Sequence, residues 1–232
     1  MNIMQFRTGD NLSYLLYGKK EAMAIDGVAA QAILDFIDEE GLILSWIANT
    51  HGHFDHTGGN NALLKKAKAK LLTVYELMQK GEFELEGDKI QIFHTPGHTE
   101  DSICFYTGKY LVSGDTLFNG TVGNCFTGDL KAFYESIKKL MALPEDTVVY
   151  AGHDYVYDSW NFAKYLEPDN NSFDLYVKQR YSEEHVFSTI KDEYSMNPYF
   201  RFNDEKIIAI MDSKGLATDT EWHRWESLMS IT

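Results

Sequence analysis

The sequence predicts a mixed α/β body of about 155 residues followed by a helical appendage, and three observations lead there. Short strand-like runs punctuated by turn residues fill the first half of the chain. Helical spacing is interleaved with them. From about Tyr155 onward helical patterns dominate and no further strand is evident. The length of 232 residues suits one α/β domain carrying a smaller appendage, divided here as 1–155 and 156–232.

The elements read in order as follows. Asn11–Tyr17 is strand-like, Gly18-Lys19-Lys20 turns the chain, and Ala22–Ile25 is strand-like again. Val28, Ala32, Ile33, Phe36 and Ile37 fall on one helical face, with Gly41 where a C-cap belongs. Leu42–Ala48 reads as a buried strand that delivers the chain into His51. A helix is expected over Asn60–Lys68, and strands over Lys89–His94, Ser102–Tyr106, Tyr110–Ser113 and Thr147–Tyr150. Between the last two lies a helix capped by Asp129 and stopped before Pro144. In the appendage, Glu167-Pro168-Asp169-Asn170 and Asn197-Pro198 signal turns.

Composition excludes several partners. Hydrophobic residues make up 44 %, enough for a core without covalent staples. A formal charge of −14 repels phosphate backbones and anionic lipid, so neither a nucleic acid nor a membrane is an expected partner. No apolar run approaches the roughly 20 residues that span a bilayer. The start, Met1–Arg7, lacks the pattern of a signal peptide. Only two cysteines occur: Cys104 in an apolar run, read as core, and Cys125 in a Gly-rich loop. A reducing cytoplasm is therefore the expected compartment.

Five of the eight histidines fall where metal ligands would. His51, His53 and His56 lie within Thr50-His51-Gly52-His53-Phe54-Asp55-His56, together with Asp55. His98 stands in Thr95-Pro96-Gly97-His98-Thr99, Asp115 in Ser113-Gly114-Asp115-Thr116, and His153 in Ala151-Gly152-His153-Asp154. Each remote member follows a strand-like run or sits at a Gly turn, where a rigid scaffold presents functional side chains. Residues two apart on extended backbone share a face, so His51 and His53 can hold one metal. Asp55 and His56, further along a turning loop, can face a second. Two metals about 3.5–4 Å apart need a bridging group, and Asp115 is the candidate. The set then closes as His51, His53 and His98 on one ion, and Asp55, His56 and His153 on the other, with Asp115 shared. All seven donors are nitrogen or oxygen, which suits zinc, iron and manganese alike. His94, His185 and His223 have no such context and read as ordinary surface or core residues.

These motifs resemble the metallo-β-lactamase superfamily, and within it glyoxalase II, the hydroxyacylglutathione hydrolases. His56-Thr57-Gly58-Gly59-Asn60, Thr95–Thr99 and Gly114-Asp115-Thr116-Leu117-Phe118 carry the core resemblance. Glu167-Pro168 and Ser188-Thr189 through Glu193 to Asn197-Pro198-Tyr199-Phe200-Arg201 resemble that family's helical C-terminal domain. The resemblance covers essentially the whole chain. It implies an αββα sandwich with two divalent metals, zinc foremost, at one edge. It implies hydrolysis of a thioester between a 2-hydroxy acid and glutathione, with Asp55 orienting or deprotonating the nucleophile. A monomer or small homo-oligomer is the expected state.

The family's thiol-carrier contacts are altered. The loop after the bridging aspartate carries a lysine and a tyrosine in the family; Asn124 and Phe126 stand here. Near the C-terminus an arginine and, three residues on, a lysine are usual; Arg224 fits the first, and Ser227 stands at the second. Tyr155 keeps a third contact, and Asp101 replaces a glycine after the His98 turn. Losing two cations removes charge complementarity to glutathione's carboxylates, so a less acidic acyl-thiol is the expected substrate. The competing readings are a mono-iron persulfide dioxygenase, a lactonase or β-lactamase, and a metal-stabilised binding protein without turnover. The full ligand set argues against the first and last, and the helical appendage against the others.

Overall fold

The computed structural model describes residues 1–231 and has four layers, helix–sheet–sheet–helix, each explained by the two-residue alternation of its strands. The first sheet takes β1 (Asn2–Thr8), β2 (Asn11–Tyr17), β3 (Glu21–Ile25), β4 (Ile43–Ala48) and β5 (Lys70–Leu71) in that order. Its helices are α1 (Ala30–Glu40), the single turn α2 (Phe54–Thr57), α3 (Asn60–Lys66) and α4 (Val74–Lys80). The second sheet runs β13-β12-β9-β8-β7-β6. Its strands are β6 (Glu82–Leu85), β7 (Asp88–His94), β8 (Ile103–Tyr106), β9 (Tyr110–Gly114), β12 (Val148–Ala151) and β13 (Ser188–Thr189). A small hairpin, β10 (Leu117–Phe118) and β11 (Thr121–Val122), follows β9, and α5 (Leu130–Met141) follows the hairpin. The C-terminal segment contributes α6 (Val156–Leu166), α7 (Ser172–Gln179), α8 (Ile190–Met196), α9 (Glu205–Ser213) and α10 (Glu221–Met229).

Alternation sorts the strand residues into three cores. Leu12, Tyr14 and Leu16 of β2 and Met23 and Ile25 of β3 meet Phe105 of β8 and Val112 of β9 between the sheets. Their neighbours Leu15, Ala22 and Ala24 face the other way, onto Ile33 and Ile37 of α1 and Leu63 of α3. Cys104 and Leu111 face outward from the second sheet onto Phe133 and Ile137 of α5 and Trp225 of α10. Cys104 is fully buried, as its apolar run implies.

Several boundaries and elements differ from expectation. The helix after β4 stops at Lys66 rather than Lys68, and α1 begins at Ala30, past Val28. Gly41 does cap α1, in the left-handed region at φ 66°, and Asp129 does cap α5, accepting from the Ala132 amide at 2.9 Å. The expectation of no strand after Tyr155 is overturned. Ser188–Thr189 pairs antiparallel with Val148 and Val149, so the appendage donates an edge strand to the second sheet. Two residues carry too little pattern to register as a strand. The hairpin β10–β11 escaped notice for the same reason. Strand β1 and helix α4 were also unforeseen, although Thr73 and Glu76 form a capping box at the start of α4.

Candidate metal centre

All seven expected side chains converge at one end of the sandwich, where β3, β4, β9 and β12 stop. Strand β4 runs into Thr50–His53, the turn α2 holds Asp55 and His56, Gly114 and Asp115 follow β9, and His153 follows β12. His51 Nε2 and His98 Nε2 lie 2.9 and 3.1 Å from His53 Nδ1, three ring nitrogens drawn to one point. Asp55 Oδ2 faces His153 Nε2 at 3.3 Å and His56 Nε2 at 3.9 Å, making a second cluster. Asp115 stands between them, with Oδ2 at 3.5 Å from both His98 Nε2 and His153 Nε2, and Oδ1 at 3.3 Å from His56 Nε2. His51, His56, His98, Asp115 and His153 are all buried.

The cluster fits cations. His56 Nε2 and Asp115 Oδ1 are buried without a hydrogen-bond partner, an expensive arrangement unless something else engages them. Three histidine nitrogens about 3 Å apart cannot all be satisfied by protons shared among themselves. Each ring is also oriented from behind. His98 donates from Nδ1 to the Asn124 carbonyl at 3.1 Å, and His56 pairs through Nδ1 with Asp26 at 3.0 Å, which leaves both Nε2 atoms facing the cluster. Gly152 closes the back wall. A Cβ there would lie 2.1 Å from Asp115 Oδ1, so the backbone approaches as near as it does only because the residue is glycine.

Asp26, the residue after β3, is the functional residue that sequence reading missed. It is 1 % exposed, sits at φ 51°, and accepts from the Thr50 amide (2.8 Å), the Thr50 hydroxyl (2.7 Å) and the His56 ring. It thus ties the start of the His-rich loop to the ring of His56. A lone aspartate after a strand carries no spacing signal; its role exists only once β3 and β4 lie side by side. Asn11 is the second such residue, donating to the Asp55 carbonyl at 3.1 Å and to Asp55 Oδ2 at 3.4 Å.

Electrostatics follow the geometry. Burial opposes charge on His51, the neighbouring His56 adds to it, and the ring is pressed down to about 4. Burial opposes charge on His56 as well, yet Asp26 and Asp115 outweigh it and lift that ring to about 11. Burial would raise Asp115, but the His153 and His56 rings hold its carboxyl far below the usual range. Burial, then Asp10 and Asp115, push the Tyr155 phenol up to about 12.

Asn124, Phe126 and Tyr155 border the cluster. Phe126 is 67 % exposed, with its ring 5.1 Å from that of His98 and 6.0 Å from that of His53. Tyr155 stacks on His153 at 4.9 Å and an interplanar angle of 3°. Asn124 and Tyr155 share a cavity of about 230 Å³ with Phe118, Thr121, Val122, Asp158, Ser159 and Phe162. Arg224 and Ser227 do not line it. Arg224 donates to Asn203 Oδ1 (2.7 Å) and to the Thr218 carbonyl (3.0 Å). Ser227 is 7 % exposed on the inner face of α10 and donates to the Ala217 carbonyl at 2.7 Å. His94, His185 and His223 stay outside the centre, beside the Glu100 carbonyl, Tyr150 and Asp219.

Residues 7–82 and 79–153 match the family described as the metallo-beta-lactamase superfamily, and residues 154–228 match the hydroxyacylglutathione hydrolase C-terminus. A hydroxyacylglutathione hydrolase of Chromohalobacter salexigens is 33 % identical over 229 residues, covering 90 % of each chain. The chain belongs to the hydroxyacylglutathione hydrolase family. Another such hydrolase, of Brucella ovis, is 34 % identical over 220 residues and 86 % of each chain. Solved structures at lower identity share the fold. ETHE1 from Myxococcus xanthus superposes with a TM-score of 0.70 at 21 % identity, covering all of this chain and 91 % of that one. The BLEG-1 B3 metallo-beta-lactamase gives 0.65 at 24 %, covering 86 % and 99 %. The fold and the family together support a dinuclear divalent-metal site. Among the described residues no helix is long and apolar enough to cross a membrane.

Proposed function

We propose that this hydrolase cleaves thioesters of 2-hydroxy acids with a thiol carrier, in the manner of glyoxalase II, at two divalent cations in the cytosol. What supports the reading most is the convergence of seven nitrogen and oxygen donors, split three and three about a shared Asp115, within a chain related over most of its length to hydroxyacylglutathione hydrolases. His51, His53 and His98 would hold one ion, Asp55, His56 and His153 the other, and Asp115 both. Zinc suits that donor set best, with iron or manganese as alternatives. Ions so held supply Lewis acidity, bringing water toward a neutral pKa and polarising the thioester carbonyl.

The chain's own groups do the rest. Asp55, fixed by Asn11, presents a carboxylate at the open side of the centre to align the nucleophile. The His56 ring and the Asn11 hydrogen bond outweigh the effects of burial there, and the Asp55 carboxyl stays below its ordinary range. A thiolate leaves readily because its conjugate thiol has a pKa near 8.5, so no strong general acid is needed. Asn124, Phe126 and Tyr155 border the thiol side. Arg224 and Ser227, engaged within the C-terminal helices, are left out of the carrier's contacts.

The test is thiol release from S-D-lactoylglutathione and from acyl-thiols lacking the glycine carboxylate, with metal content measured in parallel. The expected result is close to two metal equivalents and hydrolysis of both classes. Two missing charged contacts, each worth roughly 1.5–3 kcal/mol, raise KM for the glutathione ester by about 10² or more. Asn124→Lys combined with Phe126→Tyr should recover part of that loss. An ordinary micromolar KM in the native protein would count against the altered pocket.

A further inference from the structure

The cavity beside the metal centre has an unusual charge balance. It adjoins both halves of the centre, since Tyr155 in its wall stacks on His153 and the carbonyl of Asn124 receives the His98 ring. Its walls come from the β10–β11 hairpin, the loop that follows, and the first two turns of α6. Of eight lining residues, three are aromatic (Phe118, Tyr155, Phe162) and one is charged, Asp158. No lysine or arginine lines it among the described residues. Asp158 lies in the first turn of α6, where a helix N-terminus favours a carboxylate, but its side chain is exposed and turned to the cavity. The only lysine of α6, Lys164, is engaged two turns away by Asp174 at 2.8 Å. An anionic group entering this space meets a like charge with no lysine or arginine in the walls to offset it. A cation meets a carboxylate among three aromatic side chains, the combination that recognises ammonium groups.

We propose that Asp158 is the specificity residue for the leaving thiol, and that the cavity selects carriers presenting an ammonium group over carriers presenting a carboxylate. This rests on the thioester-hydrolase reading above. It names the charge at the far end of the thiol, and the bonds made and broken are those of ordinary thioester hydrolysis. The acyl side is not involved.

The experiment uses one acyl group, D-lactoyl, on three thiols: thiocholine (a fixed cation), N-acetylcysteamine (neutral) and 3-mercaptopropionate (an anion). Values of kcat/KM for the metal-loaded enzyme are divided by each ester's own alkaline hydrolysis rate, which removes differences in leaving-group lability. The expected order is cation, neutral, anion, with about tenfold between the extremes, as an exposed charge pair and a cation–aromatic contact together warrant. The difference lies in KM. Asp158→Asn should lower the thiocholine ester toward the neutral one and leave the neutral ester unchanged, and Asp158→Lys should reverse the order. Asp158 is exposed and makes no core contact, so both variants fold. Rates that follow alkaline lability alone, or an order untouched by Asp158→Asn, overturn the proposal while the hydrolase reading stands. Hydrolysis of none of the three by protein holding its metals overturns the hydrolase reading itself, and the proposal with it.

Discussion

Four of the seven converging side chains come from one short loop, His51 to His56, whereas the cavity beside them is walled by a hairpin, a loop and a helix more than sixty residues further on. The two regions share an edge but are built differently. The centre is closed by strand ends that the two sheets hold in register, and Asp26 and Asn11 tie it to β3 and β2. The cavity depends on the C-terminal helices. Glu193 of α8, 0 % exposed, accepts from the Gly120 amide at 3.0 Å, and the ring of Phe173 of α7 lies where a Cβ on Gly120 would be, at 2.2 Å. Gly120 is the turn of the β10–β11 hairpin, at φ 93°. The helical unit thus grips the hairpin that follows Asp115 and walls the cavity. On the proposal above, chemistry and selectivity are carried by separable parts, and substitutions in each should fail differently.

The largest effect is expected at Asp115. Asp115→Ala removes the one carboxylate shared by both halves of the centre, so both metals should be lost or nearly so. Turnover should fall by about 10³ or more once metal-acidified water is gone. Metal analysis of the purified variant checks this, and a stable single-metal protein with full activity would break the dinuclear description. Asp55→Asn should keep the fold and lower kcat by at least about 10², the lower end of general-base contributions. Near-normal turnover would show that Asp55 has no essential part in aligning the nucleophile. Asp26→Ala touches no metal directly, yet it frees the His56 ring and leaves the Thr50 amide without its acceptor. Metal affinity should fall 10–100-fold, roughly the effect of removing a supporting partner from a ligand. Competition with a chelator measures it, and an unchanged affinity would mean that His56 is held by packing alone.

How much of this was legible in the sequence follows from the same contrast. The ligands announced themselves because residues two apart on extended backbone must share a face, and because each remote ligand follows a strand-like run or sits at a Gly turn. Strands β2, β3, β4, β8 and β9 were readable as short apolar runs and β7 by its alternation, with turns marking their ends. Asp26 was not readable, since nothing in Ile25-Asp26-Gly27 shows that a carboxylate will lie beneath a loop 24 residues later. The hairpin was invisible because two-residue strands have no period. Ser227 illustrates a different failure. Three residues on from Arg224 is a neighbouring position on the helix, but that side of α10 packs on the segment before it, where Arg224 donates to the Thr218 carbonyl and the buried Ser227 to the Ala217 carbonyl.

The smallest predicted effect bears on the grip itself. Glu193 accepts from the Ser188 hydroxyl, the Asn197 amide and the Gly120 backbone, all of which favour its charged form, but complete burial outweighs them and pushes the carboxyl up to about 8 from an ordinary 4.5. A folded-state pKa above the unfolded one means that the fold binds a proton the unfolded chain releases. The associated stability is present in full below about pH 4.5 and is lost as pH rises toward about 8. Glu193→Gln cannot titrate, so its stability relative to the native protein should improve steadily across that window. At the acidic end it should be the weaker protein, by roughly 1–3 kcal/mol, because a glutamine offers one acceptor oxygen where three donors converge and adds an NH₂ with no acceptor. Urea unfolding midpoints of both proteins with metals bound, measured from pH 5 to 8.5, give the difference directly, and the pH dependence of the metal ligands cancels in it. A difference that stays flat across this range would place the proton elsewhere. The kinetic counterpart is a split. If α8 positions the hairpin, Glu193→Gln should raise KM several-fold while kcat and metal content hold, whereas a fall in kcat with unchanged KM would mean that the grip reaches Asp115 and that the two regions are not separable after all.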